Sequence, residues 1–262
     1  MNRQKNFILP LIGVLLFTLA CNLASAPESG VTAVPAPTEA TAQATAAPDL
    51  PASDACNNPY LPIVEGATWS YNLAGPIPDT YVHSILSVEA DGFTEQDVFG
   101  TGVTRQGKWK CEEGNLIALT PSGGGSANVE TEGVTVDFQT TSLEGITLPA
   151  SINPGNTWTQ SLLLEGTQTI NDETFPASNQ TTQVCTATGL ESVTVPAGTF
   201  DAMWVDCQIT MNLSLGMSDP PTQMTLDLSN SNWYATNIGL VKTVSTGEGL
   251  DSVIELVSYS IP

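Results

Sequence analysis

The chain has 262 residues, of which 41% are hydrophobic, 6% aromatic and only 13% charged. Six basic residues stand against 27 acidic ones, a net charge of −21. Nucleic acid is therefore excluded as a partner, because affinity for it rests on cations that neutralise phosphates.

The first element is an export signal. Arg3 and Lys5 precede an apolar stretch from Phe7 to Ala20, 14 residues long and interrupted by Pro10 and Gly13. A bilayer core needs roughly 20 apolar residues in a helix, so this stretch is too short to span and has the size of a signal-peptide core instead. Ala20 comes directly before Cys21, with Leu16 and Leu19 upstream. That ending resembles the lipobox of bacterial lipoproteins, in which the signal is cut before the cysteine and the thiol carries diacylglycerol. Thr18 departs from the pattern, which most often has Leu three residues before Cys. The resemblance implies a signal peptide over 1–20, lipidation at Cys21, and a protein that meets the membrane through its lipid at the outer face of the cell envelope. Ordinary secretion, with cleavage after Ala24 or Ala26, is the alternative. Loss of the signal leaves 4 basic against 27 acidic residues, a net of −23.

Residues 21–55 read as a tether. From Asn22 to Ala55 the chain is mostly Ala, Thr, Pro and Ser, with no aromatic, no basic residue and no apolar period. Such a segment buries too little surface to offset its ordering entropy. Its 34 residues would span about 30 Å as a coil and about 100 Å drawn out.

Residues 56–262 carry strand patterns throughout. "GVTVDFQT" alternates Val134, Val136 and Phe138 with polar residues, and "QMTLDLS" does the same with Met224, Leu226 and Leu228. Met203, Val205, Cys207, Ile209, Met211, Leu213 and Leu215 alternate with polar partners over 13 residues, which turns Cys207 inward. Short Thr-, Val- and Ile-rich runs bounded by Gly, Pro, Asn or Asp fill the rest. The expectation is one antiparallel all-β domain built as a strongly curved sheet, a barrel or a sandwich, with no sustained helical stripe. "LPIVEGATWSY" and "LPASINPGNTWTQ" form a weak repeat whose tryptophans, Trp69 and Trp158, are 89 residues apart. A shared glycine turn entering an aromatic-led strand accounts for it more simply than duplication.

Four cysteines remain after Cys21: Cys56, Cys111, Cys185 and Cys207. An even number in an exported domain points to two disulfides. Cys185 and Cys207 lie about equally far from the "PAG" turn at 196–198, so a hairpin would bring them together. Cys56 with Cys111 would then pin the start of the domain to an early strand. Zinc is poorly supplied, since there is no Cys-x-x-Cys and His83 is the only histidine.

Material for catalysis is thin. His83 shares a strand face with Tyr81 and Ile85 and reads as a surface or packing residue. Triad and Cys/His systems lack a second histidine and a free thiol. "PSGGGSANVE" lacks the Lys and following Ser/Thr of a phosphate loop. "EADGFTEQD" gathers Glu89, Asp91, Glu95 and Asp97 around Gly92, and reads as a hairpin turn before it reads as a calcium site. Trp204 sits on the polar face of its strand, where packing is favoured over sugar stacking. No cofactor and no metal are expected.

Three phrases, "CNNPYLPIVEGATWSY" (56–71), "VTVPAGTFDAMWV" (193–205) and "WYATNIGLVKTV" (233–244), resemble a poorly characterised group of exported bacterial proteins, often lipoproteins. The resemblance implies a curved β-sheet fold, related to periplasmic carriers of lipid or lipoprotein, and no known reaction. The preferred reading is a surface-anchored, non-catalytic β domain that binds or scaffolds an extracellular ligand or envelope component. A carrier of a hydrophobic small molecule or lipid is one alternative, and a carboxylate-based hydrolase another.

Overall fold

Alternating apolar and polar side chains make ribbons with one dry face, and a ring of such ribbons buries that face without leaving an edge. The computed structural model describes residues 54–120, 128–131, 134–247 and 251–262. The expected signal peptide, Cys21 and most of the tether lie outside the described residues, as does 121–127 of the Gly/Ser-rich phrase.

A short 3-10 turn, Asp54–Cys56, leads into 13 described strands. They are β1 (Thr68–Ala74), β2 (Asp79–Val88), β3 (Gly92–Phe99), β4 (Thr104–Glu112), β5 (Asn115–Ala118), β6 (Asn128–Thr131) and β7 (Val134–Gly145). The longer β8 (Thr157–Ile170), β9 (Glu173–Val195), β10 (Gly198–Leu215) and β11 (Thr222–Ala235) follow, then β12 (Gly239–Gly247) and β13 (Ser252–Ser260). All pairings are antiparallel, in the order β3-β2-β1-β13-β12-β11-β10-β9-β8-β7-β6-β4, and β4 returns to β3. Twelve strands therefore form a closed ring, while β5 shares the edge of β4 with β6. The all-β expectation holds, in its barrel form. Nearly every pairing joins neighbours in sequence; β1 with β13 and the two residue pairs between β4 and β6 close the ring.

Side chains follow the alternation. Met203, Val205, Cys207, Met211, Leu213 and Leu215 of β10 are buried, as are Leu162 and Leu164 of β8. Apolar inside and polar outside is the reverse of what a lipid-facing barrel needs. The chain from Cys56 to Gly66 crosses one end of the barrel and closes it. Asn58 Nδ2 donates to the carbonyls of Gly114 at 2.8 Å and Pro149 at 3.1 Å, Asn237 N donates to Pro59 O at 2.7 Å, and Ile63 is buried beneath. Trp69, 1% exposed, donates from Nε1 to Ile238 O at 2.6 Å, which joins the first and third of the quoted phrases.

The weak repeat is a repeated turn. Gly66 and Gly155 both have positive φ, 82° and 87°, where glycine avoids the clash a β-carbon would make. Each donates its N–H to the neighbouring strand, Gly66 to Ile85 O and Gly155 to Ala187 O, and Ile85 and Ala187 return a bond to the following residue. A tryptophan then enters the core, Trp158 donating to Thr147 O at 3.0 Å.

Two disulfides staple this frame. Cys56 bonds to Cys111 on β4, and Cys185 on β9 to Cys207 directly opposite on β10.

Candidate functional site

The inner faces of β1 to β4 carry ionisable groups where a small barrel ordinarily carries aliphatic ones. β3 turns Phe93, Glu95, Asp97 and Phe99 inward, all buried. β2 brings Tyr81, His83 and Ile85 to the same side, β1 brings Trp69 and Tyr71, and β4 brings Arg105, Gly107 and Trp109. Antiparallel register sets them in rows: Trp69, His83, Asp97 and Arg105 lie opposite one another across four strands. Tyr71, Tyr81 and Phe99 form the row on one side, Ile85, Glu95 and Gly107 the row on the other.

His83 is the centre of the cluster. Its Nδ1 lies 2.9 Å from Asp97 Oδ1 and its Nε2 3.7 Å from Glu95 Oε2, while Trp69 packs on the ring at 5.4 Å between centroids. Burial alone would pull the imidazole pKa down, but the hydrogen bond to Asp97 and the charges of Glu95 and Asp97 outweigh it and raise the value. A protonated ring donates from both nitrogens, one toward each acid. Gly107 leaves the room Glu95 occupies, since a β-carbon there would sit 2.7 Å from Glu95 Oε1.

Tyr71, Tyr81 and Phe99 stack with centroids 5.0 Å apart at each step, and Arg105 Cζ lies 4.2 Å from the centre of the Phe99 ring. Burial pushes the phenols of Tyr71 and Tyr81 up, with the charge of Asp97 adding to it, so both stay neutral. Burial lowers Arg105, and Asp97 offsets part of that. Two acids, Glu95 and Asp97, thus lie among two basic side chains, His83 and Arg105, inside a strongly acidic chain.

The hydrogen bond of His83 goes to a carboxylate, not to a hydroxyl or thiol. His83, expected as a surface or packing residue, is half-buried, and the acids beside it, Glu95 and Asp97, are two of the four in the phrase that reads as a hairpin turn. The structure divides that group: Glu89 and Asp91 are exposed at the β2–β3 turn, while Glu95 and Asp97 face inward. The available signal was the period-two run Phe93, Glu95, Asp97, Phe99. Among the described residues, no group of three or more His, Cys, Asp or Glu is placed to hold a metal ion.

The other predicted positions are elsewhere. Trp204 is on the outer face, stacked on Trp233 with centroids 5.9 Å apart. Cys21 lies outside the described residues.

Comparison with known proteins supplies the family, because the DUF3108-like model matches residues 104–260. The chain belongs to the DUF3108-like family. That match takes in the second and third quoted phrases and most of the barrel. No curated protein matches the sequence. Among solved structures, this DUF3108-like chain is similar to a protein described as a lipoprotein from Parabacteroides distasonis, at 18% identity and a TM-score of 0.50, over 78% of this chain and 99% of the other. A protein described as exported and of YmcC-like fold from Bacteroides fragilis aligns at 18% identity and 0.47, over 76% and 98%. The hypothetical lipoprotein YmcC from Escherichia coli aligns at 12% identity and 0.33, over 78% and 87%. The P. distasonis likeness is one of fold.

Proposed function

We propose that this DUF3108-like protein is exported, cleaved before Cys21 and lipidated there, and that its barrel works at the outer face of the membrane as a non-catalytic binding or scaffolding domain. The reading divides the chain into a signal peptide (1–20), a lipidated tether (21–55) and the barrel (56–262). Its carrying observation is the covalent one: all four cysteines of the barrel are paired in two disulfides, which is the chemistry of an oxidising compartment. The basic residues, short apolar run and small residue ahead of Cys21 support the same destination. So does the description of the P. distasonis fold neighbour as a lipoprotein. A non-catalytic role is supported by the inner cluster, whose acids are buried against His83 and Arg105 rather than open to a substrate.

Cell fractionation of the wild type and Cys21→Ser tests the anchor. The wild type is expected in the membrane fraction and the variant in the soluble or secreted fraction. Intact-mass analysis should add diacylglycerol and remove residues 1–20 in the wild type alone. An unmodified cysteine in membrane-extracted protein would overturn the reading.

A further inference from the structure

The outer wall carries a row of side chains that neither the buried cluster nor the anchor uses. Across β9 to β13 the register sets Gly189 beside Trp204, Trp204 beside Trp233, Trp233 beside Lys242 and Lys242 beside Glu255. The two indoles are nearly parallel, 14° between planes. Each is held by its own N–H: Trp204 Nε1 donates to Asp206 Oδ1 and Trp233 Nε1 to Glu191 Oε2, both at 2.8 Å. Asp206 also accepts from Ser231 Oγ at 2.6 Å and Thr188 Oγ1 at 3.4 Å, and Lys242 Nζ donates to Glu255 Oε1 at 2.9 Å.

One place in the row is open. On the β9 side of Trp204 stands a glycine, and beyond its own chain neighbours no heavy atom lies within 4 Å of where a β-carbon at 189 would begin. A β-bulge interrupts the register there, between Trp204 and Val205. Trp204 therefore has one face against Trp233 and, on its β9 side, no side chain directly opposite, with Thr188 and Glu191 to either side. Leu190, next in the chain, is 73% exposed.

We propose that this slot binds a pyranose ring of a neutral glycan, stacked on the free face of Trp204 above Gly189. The proposal rests on the reading of the barrel as a binding domain and names the class of ligand. A pyranose offers an apolar C–H face to an indole and a rim of hydroxyls to nearby acceptors, here Glu191, Asp206 and Thr188. The indole is fixed in advance, so little side-chain entropy is lost on binding. The same carboxylates, with the net charge of −21, turn away anionic glycans. A quaternary ammonium ligand wants several aromatic walls around it, whereas these two indoles stack on each other and offer one free face.

The test is a titration of the full-length protein with cellohexaose, maltohexaose and chitohexaose, read by the indole N–H resonances of its five tryptophans. At least one glycan should shift Trp204 and Trp233 and leave the buried Trp69 unmoved. Gly189→Val, which fills the slot, and Trp204→Ala should each weaken that glycan about tenfold or more, with circular dichroism unchanged for Gly189→Val. Silence from all the glycans up to about 10 mM, or undiminished binding by Gly189→Val, overturns the proposal. So does choline shifting the same resonances at lower concentration than any glycan. Capture of an envelope component equally by wild type and Gly189→Val would refute the slot and leave the binding role standing.

Discussion

Removing the Cys56–Cys111 disulfide should cost more than removing Cys185–Cys207. The bonds close loops of 55 and 22 residues. Loop-closure entropy in the unfolded chain then assigns about 4.2 kcal/mol to the first and about 3.4 kcal/mol to the second at 25 °C. All four cysteines are at most 4% exposed, so loss of packing is similar for the two pairs and leaves the order intact. The native state widens the gap. Cys185 and Cys207 sit on strands already paired to each other, whereas Cys56 holds a crossing segment that has no strand ladder of its own. Urea unfolding of the two double-alanine variants, Cys56→Ala/Cys111→Ala and Cys185→Ala/Cys207→Ala, measures both costs. Limited proteolysis should in addition find new cleavage between 57 and 66 in the first variant only. If the second variant proves the less stable, or if reductant leaves the wild type unchanged, the account of how the barrel end is held is wrong.

Other expectations follow from single positions. His83 has a folded pKa raised above its ordinary 6.5, so the folded chain holds that proton more tightly than the unfolded one. Its contribution is full below about pH 6.5 and is lost as pH rises through the folded pKa; in urea titrations from pH 5 to 9, His83→Gln should flatten that decline. Gly107→Ala pushes a β-carbon against the buried Glu95 carboxyl and should cost about 1–3 kcal/mol, whereas Gly189→Ala, in open space, should change stability by less than about 0.5 kcal/mol. Leu164, fully buried on β8, should lose about 2–5 kcal/mol on truncation to alanine, read by thermal or urea unfolding.

What could be read beforehand was whatever one strand or one turn specifies alone. The thirteen-residue alternation ending at Leu215 announced a half-buried strand, because period two is a property of the backbone. The turns before Trp69 and Trp158 were readable because a left-handed position asks for glycine locally. The ring was not, since its closure depends on β4 meeting both β3 and β6, and no local pattern encodes that register. The inner cluster stayed hidden for the same reason: Glu95 and Asp97 look like two more surface acids until His83 and Arg105 are known to lie opposite them. Likewise Gly189 is an unremarkable residue in sequence and becomes an opening only beside Trp204.

The sulfur bridge at Cys56 also sets how the barrel answers a pull. A load applied to the chain ahead of that residue does not have to peel β1 from its neighbours, one hydrogen bond after another. It passes through covalent sulfur into β4, which is flanked by β3 on one side and by β5 and β6 on the other. The load is thereby shared with the three strands paired to β4, and the crossing segment with Trp69 behind it stays slack.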